Sequence, residues 1–390
     1  MSKLYPHRAK PFKGLAAFDH IGEDTSPSQA AVLLSFGQQI RGGEAPLRAR
    51  AAALKRKGFV ASEPPTEFPV PKLRGIDGPI SLDASLARVQ KVHAYKPRLQ
   101  AKAVAAAAAT PAYEKVLRNS AERVFTKPVA NNAADLFALS LDHPRELVRI
   151  AAAIASLPLT TRPEHNLRVL LNGLKSSDEL ERTLAATGLA RSYPEHPALK
   201  RLSSGKTAPR KRRPRQTLLL VHGTWASDAA WYQPGGDFFN FVKARRPDLY
   251  GAADFFKWSG GWSDGARTAG AVALKHWVES RNESGLDLMG HSHGANVILK
   301  ATALEMQAGK VVLLSCPVHV DKYFPNFAKL RVPVFSVRVH FDLVILADGG
   351  GQRFNHPDIR EIVLPIWFDH GATHDPTVWQ NNNVAQKIGL

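Results

Sequence analysis

The sequence predicts an α/β domain, a mostly parallel sheet flanked by helices, over residues 216–390, and an all-α region before it. In the second part, short apolar segments alternate with longer amphipathic ones, a pattern typical of parallel strands joined by helices. The first part is rich in alanine and in segments with helical periodicity. We therefore expect two modules with different secondary structure.

Charge divides the 390-residue chain at the same place. Residues 1–215 contain 36 Lys and Arg against 18 Asp and Glu, whereas residues 216–390 contain 16 of each kind. The entire net charge of +18 thus belongs to the first part, while all seven tryptophans lie in the second. Such a split favours separate modules.

Composition predicts three segments before the α/β domain. Residues 1–129 form a basic, Pro- and Ala-rich region that we expect to be partly helical, residues 130–203 a helical domain, and residues 204–215 a basic linker. In the helical domain, Arg149 and Arg182 lie 33 residues apart in similar surroundings, each after a polar cap and an acidic first turn. This spacing resembles stacked helical repeats of the HEAT kind.

The first strand of the α/β domain is predicted at Thr217–Val221, an apolar segment that ends in His222-Gly223. A second apolar strand, Leu286–Met289, leads into Gly290–Gly294, and a helix is predicted from Ala295 to Met306. The pentapeptide fits the G-x-S-x-G turn that raises a serine clear of a sheet between a strand and a helix. Ser292 is therefore the candidate nucleophile.

A third apolar strand is predicted at Val311–Ser315, and a fourth, Val332–Val339, is followed by two acidic candidates. An aspartate in the loop after such a strand can orient a catalytic histidine. Asp342 fits this position best, and Asp348 is the alternative on the same positional argument.

The last strand, Ile362–Ile366, precedes two candidate histidines and a helix that we expect to begin at Asp375-Pro376. His370 leaves room for its loop to bend back over the serine, whereas His374 lies close to the helix cap. We therefore favour His370 as the base and keep His374 as the alternative.

The chain order Ser292, Asp342, His370 is the order expected of an α/β-hydrolase. Residues 216–390 resemble lipase- and esterase-like members of that superfamily, through Trp258–Gly260, Arg267 and Gly290–Val297. The resemblance implies an α/β-hydrolase fold and a serine esterase that works through an acyl-enzyme, on an ester-containing small molecule or lipid. It also implies an oxyanion hole formed by the main-chain N–H groups of Thr224 and His293.

No large cap fits into the domain, because only about fifteen residues separate the strand that ends near Cys316 from the strand that begins near Val332. Any lid must therefore be small or come from elsewhere in the chain. Our hypothesis is that the N-terminal half, or a partner bound to it, covers the site.

The remaining signals concern partners and compartment. The helical region is a candidate docking surface for a protein partner, and the basic first half with its linker is a candidate contact for anionic membranes or polyanions. A phospholipase-like effector and a non-catalytic interaction protein on a hydrolase scaffold are the alternative functions. We expect no cofactor and no metal, because no His/Cys cluster has zinc spacing. We expect a cytoplasmic location, because neither a signal peptide nor a membrane-spanning segment is apparent, and signal-free export is the alternative.

Overall fold

The computed structural model describes seven stretches of the chain, and the predicted linker 204–215 and several parts of the predicted segment 1–129 lie outside them. The described residues are 11–19, 24–42, 68–93, 111–202, 217–251, 255–281 and 285–390.

The regular elements described before residue 203 are helices, apart from one isolated β-bridge between Arg74 and Val129. Their apolar faces meet in one hydrophobic cluster that extends from Ala17 to Leu199 and therefore crosses the predicted boundary at residue 129. The α-helices are α1 (Ser26–Gly42), α2 (Leu82–His93), α3 (Pro111–Thr126), α4 (Ala130–Ser140), α5 (Glu146–Ser156), α6 (Glu164–Gly173), α7 (Glu179–Ser192) and α8 (Pro197–Lys200).

The two arginines that suggested a repeat occupy equivalent positions. Nη1 of Arg149 donates to the carbonyl of His143 at 2.6 Å, and Nη1 of Arg182 donates to the carbonyl of Ser176 at 2.6 Å. Each guanidinium therefore ties its helix to the carbonyl six residues earlier, in the loop that precedes the helix. The sequence spacing thus corresponds to one local geometry used twice, in α5 and in α7.

The second part contains a five-stranded parallel sheet in the order β1-β2-β3-β4-β5. Alternate residues of β1 pack on opposite faces, Leu219 and Val221 on one and Leu218 and Leu220 on the other, because helices cover both sides. The sheet and its flanking helices place the chain in the α/β class. The strands are β1 (Leu218–Val221), β2 (Leu286–His291), β3 (Ala308–Leu314), β4 (Arg331–Val339) and β5 (Ile359–Leu364).

Six helices accompany these strands in the described residues. Of the predicted helix starts, Pro376 is confirmed: the Asp375 carboxylate caps that helix by accepting from the N–H groups of Thr377 and Val378. The helices are α9 (Asp237–Lys243), α10 (Asp264–Glu279), α11 (His293–Ala303), α12 (Leu343–Asp348), α13 (Pro376–Asn381) and α14 (Val384–Ile388).

The helical region packs directly on the α/β part. Phe341, Leu346 and Phe368 of the α/β part belong to the same hydrophobic cluster as the N-terminal helices. The ring of Phe68 lies 5.4 Å from that of Phe341 and 5.9 Å from that of Phe368, between ring centroids. The N-terminal helices are therefore anchored beside the loops that follow β4 and β5.

Within the part of the chain that the structure describes, no helix is both long and apolar enough to cross a membrane. Between β3 and β4 the chain forms loop, an isolated β-bridge from Val318 to Gly351 and a three-residue 3₁₀ turn, Phe327–Lys329, so no cap is inserted there.

Candidate active site

The candidate residues meet at one edge of the sheet. Thr224 follows β1, Ser292 follows β2, Asp342 follows β4 and His370 follows β5. Parallel strands all present their carboxyl ends at the same edge, which is where open α/β sheets bind ligands. Residues that are far apart in sequence are thereby gathered in one place.

Ser292 sits on a sharp turn between β2 and α11. Its backbone is at φ 53° and ψ −130°, a conformation that costs free energy for a residue with a side chain and that clusters at functional sites. The turn is anchored by the N–H of Ser292, which donates to the carbonyl of Leu314 at 2.8 Å. The predicted strand, turn and helix are all present here.

Two glycines allow this turn to lie against the loop after β1. A Cβ added at Gly294 would lie 2.3 Å from the carbonyl oxygen of His222, and one added at Gly223 would lie 2.9 Å from Cβ of Ser292. Neither position has room for a side chain, so the loop after β1 and the turn at Ser292 lie in close contact. This close approach brings Thr224 next to the candidate nucleophile.

His370 lies against Asp342, with 2.7 Å between Nδ1 of the ring and one carboxylate oxygen. The other oxygen of Asp342 caps α12 by accepting from the N–H groups of Val344 at 2.9 Å and Ile345 at 3.2 Å. Both groups are buried. The carboxylate is thus fixed by the helix and in turn fixes the ring.

The electrostatic environment of His370 favours its protonated form. Burial alone would lower the pKa of this histidine, but the charge and the hydrogen bond of Asp342 outweigh that effect and raise the pKa above its ordinary value of 6.5. Asp369 and Glu179 add to the rise. A raised pKa makes the ring a better proton acceptor, which suits it to taking a proton from a hydroxyl.

Gln352 holds the main chain of Asp342 from both sides, and no motif or spacing in the sequence predicts this contact. Its Oε1 accepts from the N–H of Asp342 at 2.9 Å, and its Nε2 donates to the Asp342 carbonyl at 3.0 Å. The amide replaces a pair of backbone hydrogen bonds at a buried site. It therefore fixes the direction in which the carboxylate projects.

The alternative base, His374, has different neighbours. Its ring stacks on that of Trp231, with centroids 4.6 Å apart and an interplanar angle of 14°. Burial, followed by the repulsion of His370, lowers its pKa to about 3. Of the two histidines, it is His370 that the structure brings to Asp342.

The alternative acid, Asp348, is bound to histidines other than His370. One of its oxygens is 3.2 Å from Nε2 of His293 and accepts from Nε1 of Trp262 at 3.0 Å, and the other is 2.5 Å from Nε2 of His319. Burial alone would raise the pKa of Asp348, but His293 and His319 keep it well below its ordinary value. Asp348 therefore supports the residue that follows Ser292.

His293 itself is neutral in this arrangement. Its Nδ1 is 3.0 Å from Nδ2 of Asn296, a group that can only donate, so the ring proton is on Nε2 and points to Asp348. Burial lowers the pKa of His293 to about 4. The contact with Asp348 is therefore a hydrogen bond to a carboxylate rather than an ion pair at neutral pH.

A cavity of about 560 Å³ contains Ser292 and His370. Both predicted oxyanion residues, Thr224 and His293, line it beside the serine. Its lining also includes three tryptophans, Trp225, Trp231 and Trp262, and the first turns of α7. Among the described residues, no group of three or more His, Cys, Asp or Glu side chains is arranged to hold a metal ion.

No known family's sequence profile matches the chain, and no curated protein matches it. One similar solved structure is that of an uncharacterized protein from Bacillus cereus ATCC 10987, with 12% sequence identity and a TM-score of 0.23. The similarity covers 64% of this chain and 91% of the other.

Proposed function

We propose that this chain is a serine hydrolase of the α/β-hydrolase type that cleaves carboxylic esters. One observation carries the proposal: Ser292, on its strained turn, shares a cavity with His370, whose Nδ1 lies 2.7 Å from Asp342. A serine, a histidine and an aspartate in this relation are the groups that acyl transfer needs. The order of the three residues along the chain supports the same conclusion.

The mechanism follows from these groups. His370 accepts the proton of the Ser292 hydroxyl while the serine oxygen attacks the ester carbonyl, and Asp342 stabilises the imidazolium that forms. The N–H groups of Thr224 and His293 stabilise the negative charge on the carbonyl oxygen. His370 then protonates the leaving alcohol, and water, activated by the same ring, releases the acid and restores Ser292.

Hydrolysis of 4-nitrophenyl esters of graded chain length tests the proposal. We expect wild-type turnover with kcat/KM reduced at least 10³-fold in Ser292→Ala and in His370→Ala, because each removes a member of one catalytic unit. Wild-type protein that is folded and hydrolyses none of the esters would contradict the proposal. Equal activity of wild type and Ser292→Ala would contradict it as well.

A further inference from the structure

Helix α7 forms one wall of the cavity that contains Ser292. Ser177, Asp178, Glu179, Arg182 and Thr183, at or just before its first turns, line the cavity together with Leu180 and Thr187. This helix comes from the predicted helical domain, far ahead of the nucleophile in the sequence. Its lining residues are mainly polar, whereas three tryptophans line the same cavity.

The wall is held rigidly against the α/β part. Leu184 and Leu189 on the inner side of α7 are fully buried. Nη1 of Arg191 donates to the carbonyl of Ala347 in α12 at 2.9 Å, and a Cβ added at Gly349 would lie 2.5 Å from the same guanidinium. The helix is therefore packed against the α/β part, and its first turns line the same cavity as Ser292.

The polar wall has a defined charge pattern. Arg182, the one Lys or Arg among the described lining residues, donates to the Ser176 carbonyl and keeps its charge, which the carboxylates of Asp178 and Glu179 outnumber. Asp178 is likewise occupied as the cap of α7, where it accepts from the N–H groups of Leu180 and Glu181. Glu179 is exposed, lines the cavity, and lies close enough to His370 for its charge to act on that ring. Glu179 is therefore the lining carboxylate of α7 that is placed to meet a substrate.

We propose that helix α7 determines the specificity of this site: Glu179 disfavours esters with an anionic group on the side that faces the helix, and Thr183 favours an uncharged, hydrogen-bonding group there. The inference rests on the proposed function, since it concerns the substrate of the same serine. A negative group beside Glu179 is repelled, whereas a hydroxyl group can exchange hydrogen bonds with water for bonds with the wall.

The specificity of the site can be tested with three 4-nitrophenyl esters. Their acyl chains have equal length and end in a methyl, a hydroxyl or a carboxylate group. With the wild type we expect kcat/KM to be highest for the hydroxyl ester and lowest for the carboxylate ester. Glu179→Gln should raise the carboxylate-to-methyl ratio of kcat/KM about fivefold at low salt. Thr183→Val should lower the hydroxyl-to-methyl ratio about fivefold, because it removes the hydroxyl group but keeps the shape.

Glu181→Gln is the matched control, because Glu181 is on the same helix but bonds to Ser176 Oγ at 2.5 Å and does not line the cavity. It should leave both ratios unchanged. Glu179→Gln can also change kcat/KM through His370, but that effect is the same for all three esters. It therefore cancels in a ratio of kcat/KM between two esters measured on one variant.

The outcomes separate the two proposals. Equal wild-type kcat/KM for the three esters would overturn the inference. A carboxylate-to-methyl ratio of kcat/KM that is no higher in Glu179→Gln than in Glu181→Gln would overturn it as well. In both cases, turnover that depends on Ser292 would still support the proposed function. Failure of the wild type to hydrolyse any ester and to react with a serine-directed fluorophosphonate would overturn both.

Discussion

Asp342 and Asp348 lie at opposite ends of the six-residue helix α12, and each binds a different histidine of the site. Asp342 caps the start of the helix and binds His370, while Asp348 ends it and binds His293. One short helix thus supports both the candidate base and the residue that follows the candidate nucleophile. The two carboxylates should differ sharply in what their removal does.

Asp342→Asn should lower kcat/KM about 10³- to 10⁴-fold, because the ring of His370 loses both its orientation and the stabilisation of its charged form. The variant should also shift the pH profile. Activity requires neutral His370 and is lost as the pH falls through its pKa, so the wild-type acidic limb should have its midpoint above pH 6.5. Without the charge of Asp342, burial dominates and the midpoint should move to lower pH.

Kinetics of kcat/KM against pH measure this shift. Asp375→Asn is a matched control, since Asp375 caps α13 and asparagine is an equally good cap. An acidic limb that stays in place in Asp342→Asn would show that Asp342 does not set the pKa of the base.

Asp348→Asn should have a much smaller effect on catalysis. The amide is uncharged and keeps only one acceptor oxygen, so at least one of the imidazole or indole donors that Asp348 binds loses its acceptor in the interior, at a cost of about 1–3 kcal/mol in the free energy of unfolding. Loosening of His293 should lower kcat about tenfold, a loss we expect because catalytic groups tolerate little displacement. Urea unfolding and steady-state kinetics report the two effects.

This variant also discriminates between the two candidate acids. A loss of activity as large as that of Asp342→Asn, with the same shift of the acidic limb, would identify Asp348 as the catalytic acid and contradict the account.

Gln352→Leu should reduce kcat about 10- to 100-fold without moving the acidic limb, because the charge of Asp342 remains but its main chain is no longer held. Steady-state kinetics across the acidic and neutral range measure both quantities. Gln380→Leu, at an exposed position of α13, provides the control. Full activity of Gln352→Leu would mean that α12 alone positions the carboxylate.

Phe68→Ala tests the contact between the helical region and the α/β part. Phe68 is 3% exposed and packs on Phe341 and Phe368, so its loss should reduce the free energy of unfolding by about 3–5 kcal/mol. Phe68→Leu, which fills most of the space, should lose much less. Urea denaturation of both variants measures this, and a loss below about 1 kcal/mol in Phe68→Ala would contradict a shared core.

The sequence indicated the candidate site because that part of it depends on local patterns. The strand, turn and helix around Ser292 follow from a pentapeptide between two apolar segments, and Asp342 and His370 follow from their places after later strands. Spacing before the Asp375 cap likewise favoured His370 over His374. Each of these interpretations needed only the order of elements along the chain.

The supports of the site could not be predicted in the same way. Gln352 bonds to a residue ten positions earlier, Asp348 binds His293 across 55 positions, and Arg191 reaches Ala347 across 156. No periodicity or motif marks such pairs, because they exist only once the sheet has brought distant loops together. The wall formed by α7 is of the same kind: the sequence suggested a lid from the N-terminal half but gave no residue.

Reaction with a fluorophosphonate probe tests the central claim, that Ser292 is a nucleophile activated by His370, most directly. The probe bonds covalently to an activated serine with loss of fluoride, and intact mass measures the adduct. We predict one adduct on wild type, none on Ser292→Ala, and much slower labelling of His370→Ala than of His374→Ala. Labelling that persists in Ser292→Ala, or that depends on His374 and not on His370, would contradict the account.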